Sequence, residues 1–267
     1  MTTGVGPSRG PIKALVTVTF LAMITMNALA NALPLNGRNT GEVSQAYPSL
    51  FTPAGITFSI WSLIYLLLGA HVLYQLGLFR DGLETPAESA LLNRVGVLFS
   101  ISSLANTAWI FAWHYDHIAL SAVLTTVILI CLALISVTLR NANLVGRQRW
   151  FIGVPFSVYF GWATVATIAN ITVLLVKLNW DGFGLAPSTW AVIIVLVAMA
   201  IGMMTMLRNR DAAYGLVLIW AFGGILLRQV SEGGLDGRYP QIIAAVVASL
   251  VIFVIGEVLV LRGGKAA

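Results

Sequence analysis

The chain has 267 residues, of which 58% are hydrophobic and 9% charged, with a formal net charge of +5. Soluble domains carry roughly 25% charged residues, so these side chains cannot coat a water-facing body, and the mean hydropathy of +0.90 points the same way. A soluble enzyme is excluded. So is a nucleic-acid binder, because no basic run of five or more occurs and the Lys and Arg residues sit at the ends of apolar runs.

In lipid every backbone N–H and C=O must be bonded internally, which leaves helices or closed barrels. Barrel strands alternate apolar and polar residues. The apolar runs here are continuous, near 12–34, 54–79, 92–114, 118–139, 151–176, 187–207, 211–229 and 239–261. Each is about 20 residues long, the length of a spanning helix. They predict an all-α, polytopic membrane bundle of about eight transmembrane helices. The first run is too long for the apolar core of a cleavable signal and reads as a span. The only cysteine, Cys131, lies inside a run, so no internal disulfide forms.

The first predicted span places Asn27 and Asn31 four residues apart, on one face, and ends near Pro34. The segment Leu35–Phe51 that follows is polar and long for a compact bundle, which suits a functional loop. The second span opens with Pro53, Ala54 and Gly55 and then puts Phe58, Trp61 and Tyr65 on one stripe, with His71 deeper. The connection Arg80–Leu91 carries Asp81, Glu84, Pro86 and Glu88; Pro86 and Glu88 suit the first turn of the third span. That span repeats the stripe with Asn106, Trp109 and Trp113. The turn after it holds His114, Asp116 and His117, which reads either as a metal-ligand set or, more simply, as interfacial polar residues. The fifth span begins at Pro155 and continues through Phe156, Tyr159, Phe160, Trp162 and Ala163 to Asn170. Its Gly161 and Ala163 would serve a homodimer contact as readily as a pocket. The eighth span buries one carboxylate, Glu257. That group marks proton coupling, or else it snorkels or pairs with Arg208 or Arg210.

With eight spans and the N-terminus inside, Arg9, Lys13, Arg80, Arg94, Arg140, Arg147, Arg149, Arg208, Arg210, Arg262 and Lys265 share one side. Only Arg38, Lys177, Arg228 and Arg238 face the other. The bias predicts both termini in the cytoplasm, in a bacterial inner membrane. The seventh run is the short one; with Gly223 and Gly224 inside it and Arg228 at its end, a re-entrant segment is the alternative.

Single Asn residues in spans often act as interhelical glue, and Trp and Tyr near span ends as interface anchors. Together, stripes on the first, second, third and fifth spans suit a flat, largely apolar guest held by stacking and a few hydrogen bonds. At these residues the sequence resembles the translocator protein/tryptophan-rich sensory protein family. The shared features are Phe51-Thr-Pro-Ala-Gly-Ile-Thr-Phe-Ser-Ile-Trp-Ser-Leu-Ile-Tyr65 on the second span and Leu104-Ala-Asn-Thr-Ala-Trp109 on the third. Val154-Pro-Phe-Ser-Val-Tyr-Phe-Gly-Trp-Ala163 follows on the fifth. The resemblance covers residues 10–180 or so. The chain departs from the family at Ala54, Ile56 and Tyr159, where members carry Pro or Trp, and in the placing of Asn170.

The resemblance implies a five-helix ligand-binding bundle over 1–180; residues 181–267 depart from it by adding three helices, packed on that bundle, that the family does not have. It implies a pocket of Phe58, Trp61, Tyr65, Asn106, Trp109, Tyr159 and Ala163 under a lid at Leu35–Phe51. Asn27, Asn31, Trp113 and Phe156 join that set from the stripes. It implies porphyrins and related tetrapyrroles, sterols or synthetic aromatics as ligands; no cofactor is required, a bound tetrapyrrole being a candidate, and no metal is needed, His114 and His117 being weak candidates. The partners expected are a hydrophobic small molecule and membrane lipid. The leading expectation is therefore a sensor or carrier for a planar hydrophobic molecule. The alternatives are a proton-coupled transporter using Glu257 and, last, a membrane enzyme acting on an isoprenoid or tetrapyrrole, for which no acid/base set is evident.

Overall fold

The computed structural model describes residues 9–33, 35–80 and 84–263. Pro34, Asp81 and Lys265, named above, lie outside the described residues. Eight helices are long and apolar enough to cross a membrane: Gly10–Ala32, Gly55–Leu76, Pro86–His114, Ile118–Arg140, Gly146–Lys177, Pro187–Asn209, Ala212–Val230 and Pro240–Gly263. They are the first to eighth spans. The protein is an integral membrane protein with an all-helical polytopic fold.

Local chemistry sets the ends. Proline occupies the first turn of the first, third and sixth spans, where its missing N–H costs nothing. Thr85 caps the third span by accepting from the Glu88 amide at 3.2 Å, and Gly77 closes the second in the left-handed region at φ 111°. The seventh run is a continuous helix of 19 residues, about 28 Å at 1.5 Å per residue, so it spans and is not re-entrant. In the fifth span Pro155 cannot donate to the Phe151 carbonyl. The helix accommodates it with a π-helical turn, Arg149–Gly153, and His71 Nδ1–H donates to the freed carbonyl at 2.9 Å. His71 is thus a hydrogen-bonded bundle histidine.

The first five spans close a ring: the first packs on the third, the third on the fourth, the fourth on the fifth, the fifth on the second and the second on the first. The sixth, seventh and eighth form a second unit. The eighth packs on the sixth and seventh, and the seventh docks along the fifth. Glycines permit the closest approaches. A Cβ on Gly161 would lie 2.9 Å from the Val217 Cβ, and one on Gly224 would collide with Thr57. Gly161 therefore packs against the seventh span of its own chain.

The arginine-rich end of the ring is sealed by polar contacts. Arg9, 8% exposed, donates to Asn93 Oδ1 at 3.0 Å and Glu84 Oε1 at 2.6 Å, and also to Gln75. Burial raises the Glu84 carboxyl, but hydrogen bonds and charge from Arg80 and Arg9 outweigh it and hold it below the ordinary range. In the sequence Arg9 is only one of the basic residues that set topology; nothing local marks it as a tie between three spans.

Candidate functional site

The segment between the first two spans folds into a built cap. Asn39, Thr40 and Glu42 start a short helix, Thr40–Gln45, with a reciprocal capping box. Asn39 Oδ1 accepts from the Glu42 amide at 3.0 Å, and Glu42 Oε2 accepts from the Asn39 amide at 2.8 Å. The cap is latched to the turn after the third span. Arg38 pairs with Asp116 at 2.7 Å, Tyr47 Oη–H donates to the same carboxylate at 3.0 Å, and Lys177 donates to the Asp116 carbonyl. Burial pushes the Asp116 carboxyl up, yet the Arg38 and Tyr47 hydrogen bonds and the Arg38 and Lys177 charges hold it below the ordinary carboxylate range. Burial and the hydrogen bond to Asp116 push the Tyr47 hydroxyl up to about 12. Trp113 Nε1–H donates to the Thr40 carbonyl at 3.1 Å, and Asn36 donates to the His114 carbonyl at 2.9 Å.

The seventh span fastens the other end of the cap. Gln229 donates to the Leu50 carbonyl at 2.8 Å, the Ala54 amide to the Gly224 carbonyl at 2.9 Å, and Trp220 Nε1–H to the Thr57 carbonyl at 3.0 Å.

Under the cap, between the first and second spans, lies a cavity of about 630 Å³. Asn27, Asn31, Phe58, Trp61 and Tyr65 line it, joined by Gly41, Glu42 and Gln45 from the cap. Trp61 stacks on Tyr65 with centroids 5.5 Å apart and an interplanar angle of 17°. The Tyr65 hydroxyl is buried without a hydrogen-bond partner.

The remaining expected residues stand behind this wall. Trp61 also meets Trp109 at 5.9 Å, Tyr159 at 6.0 Å and Trp162 at 6.1 Å. A hollow of only about 30 Å³ lies among Phe58, Trp61, Trp109, Trp113 and Trp162. Trp109 and Trp113 stack at 6.0 Å. Asn27 Nδ2 donates to Asn106 Oδ1 at 2.7 Å, and Asn106 Nδ2 donates to the Tyr159 hydroxyl at 3.2 Å. This hydrogen-bonded chain ties the first, third and fifth spans, so Asn106 and Tyr159 bridge helices and do not line the cavity. Phe156 meets His71 at 4.8 Å, away from the cavity. Ala163 is buried in the fifth span and is not among the lining residues. Trp162 is the aromatic that the stripes undervalued: it is 1% exposed and meets Phe58 edge-on at 5.7 Å.

His114 is buried and donates through Nδ1 to the Ile110 carbonyl of its own helix at 2.8 Å, whereas His117 is exposed. Among the described residues no three His, Cys, Asp or Glu side chains lie close enough to hold a metal. Glu257 is 7% exposed, and neither of its carboxylate oxygens has a hydrogen-bond partner. The alternative of a pair with Arg208 or Arg210 is not formed. Its neighbours are Gly215 and Met206.

The fold and site define a polytopic helical membrane protein with a loop-capped aromatic cavity at one end of a five-helix ring. The family model described as TSPO-like protein matches residues 13–259, and the chain belongs to that family. The match runs on through the last three spans. No curated protein and no solved structure matches the chain.

Proposed function

We propose that the protein binds a planar hydrophobic molecule, a tetrapyrrole or a sterol-like lipid, in the cavity beneath the cap, as a sensor or carrier. One observation carries the reading. A cavity within the size range of small-molecule sites is walled by the rings of Phe58, Trp61 and Tyr65, with the carboxamide of Asn27 among its lining residues. Asn31 and Gln45 add further polar contacts at the mouth. The arginine-rich side faces the cytoplasm in this reading, which puts the cap on the outer side of a bacterial inner membrane.

The test is a titration of the purified protein with protoporphyrin, read by porphyrin absorbance and tryptophan quenching. Asn31→Leu is expected to weaken binding about fivefold, the equivalent of one hydrogen bond of about 1 kcal/mol. Trp61→Ala is expected to weaken it more. Identical curves for wild type and Trp61→Ala would remove this cavity from consideration.

A second reading, proton-coupled transport through Glu257, is supported by the unpartnered carboxyl on the eighth span. Uptake into proteoliposomes that is insensitive both to a pH gradient and to Glu257→Gln would dispose of it.

A further inference from the structure

A second hollow, larger than the capped cavity, opens beside the seventh span. It is a groove of about 950 Å³ lined by the second, fourth, fifth and seventh spans and by the turn between the sixth and the seventh. Two kinds of surface meet in it. Leu63 and Leu67 on the second span face Leu216 and Trp220 on the seventh. Leu63 is 48% and Leu216 59% exposed to the membrane, so the groove opens sideways into acyl chains. At its other end stand Arg140, Arg149 and Arg210, all exposed and all lining the same hollow.

None of these three arginines forms an ion pair among the described residues. The one carboxylate beside them, Asp211, is already engaged. Its Oδ2 accepts from Ser157 Oγ–H at 2.5 Å and its Oδ1 from the Tyr214 amide at 3.1 Å, capping the seventh span. Burial raises the Asp211 carboxyl despite those bonds and the Arg149 charge. Arg140 Nη1 donates to Asn209 Oδ1 at 3.3 Å, and Asn209 Nδ2 in turn donates to Ser136 Oγ at 3.0 Å. The guanidinium is thereby steadied without being neutralised. From Asp211 to Trp220 the apolar wall runs about 14 Å along the helix at 1.5 Å per residue. Trp220 ends it, tied to the Thr57 carbonyl.

We infer that this groove is a binding site for one anionic glycerophospholipid, with its phosphate among Arg140, Arg149 and Arg210 and an acyl chain along Leu63, Leu67 and Leu216. Arginine forks match phosphate oxygens, and basic pockets between helices at the membrane surface take acidic headgroups. The apolar length selects a lipid over a free anion. The site lies outside the capped cavity and is independent of what binds there. It bridges the ring and the last three spans, so its occupant would cement the two units.

The full-length protein, in micelles doped with equal amounts of phosphatidylglycerol and phosphatidylcholine bearing the same chains, is examined by native mass spectrometry. One phosphatidylglycerol is expected to be retained at least about fivefold over phosphatidylcholine, the preference of a single well-placed arginine. Arg140→Gln with Arg149→Gln is expected to bring the ratio close to one. Leu216→Trp, a substitution on a lipid-exposed face that keeps every charge, is expected to lower total retained lipid severalfold. Arg208→Gln, outside the groove, is expected to leave the ratio unchanged. The inference is overturned by a wild-type ratio near one, or by Leu216→Trp retaining lipid as wild type does. It is equally overturned if Arg208→Gln lowers the ratio as much as the double substitution does, which would mean a diffuse field, or if glycerol phosphate alone displaces the lipid, which would mean a site for a small anion.

Discussion

The five-helix ring and the three-helix unit behind it are both apolar, yet they are held together differently. The ring is joined by directional contacts: the Asn27–Asn106–Tyr159 chain at its centre, the Arg9 cluster at one end and the latched cap at the other. The three-helix unit leans on small residues. Gly202 faces Leu218 and Phe253, Gly215 faces Met206, and Gly256 faces Met203 and Met206. Between helices in lipid there is little hydrophobic drive, so close packing and hydrogen bonds must do the joining. Directional contacts hold helices at set distances and tolerate a hollow between them. Glycine contacts bring backbones together and fill the space. The cavity beneath the cap lies in the first region, and the second serves as its clamp through Gly224, Gln229 and Trp220.

The sharpest way to break that contrast is to separate the two regions. Gly224→Leu would drive a side chain into Thr57. It is expected to destabilise by about 3 kcal/mol, seen in denaturant titrations in mixed micelles, and to remove hydrogen-exchange protection from residues 50–57. A variant as stable as wild type would mean that the last three spans do not clamp the cap.

Asn106→Leu cuts the central chain and leaves Asn27 and the Tyr159 hydroxyl short of a partner. The expected cost is about 1.5 kcal/mol in the same titration. Asn39→Ala removes one half of the capping box; a loss of about 1 kcal/mol should appear as roughly fivefold faster amide exchange over residues 40–45, with the spans unaffected.

The Asp116 latch gives a pH signature. Its carboxyl is held below the ordinary range in the folded protein, so its contribution is complete above the unfolded value near pH 4. That contribution is lost as pH falls through the lower folded value. Because both partners are about a third exposed, the contribution is on the order of 0.5 kcal/mol. Exchange in the cap should accelerate on acidification in wild type and lose that dependence in Asp116→Asn. The smallest effect is expected at Glu257→Gln. A buried carboxylate without partners gains nothing from its charge, so the variant should unfold within about 0.5 kcal/mol of wild type or later. A large loss there would show a partner that the carboxyl depends on.

Much of the architecture was already written in one dimension. Eight apolar runs of spanning length, Pro at helix starts and the lopsided Lys/Arg distribution identify a helical membrane protein, because lipid leaves the backbone so few alternatives. Stripes at three- and four-residue spacing also singled out Asn27, Asn31, Phe58, Trp61 and Tyr65, which meet at one cavity, since a helix converts such spacing into a shared face. The same spacing could not separate these from Trp109, Trp113 and Tyr159. Lining and backing residues have identical periodicity; only the packing of five helices decides which ring faces the hollow and which stands behind it. Arg9, Trp162, Gln229 and the three-arginine groove lie further still from local pattern. Their partners sit on helices far away in the chain, and the distances that give them meaning exist only once the bundle has closed.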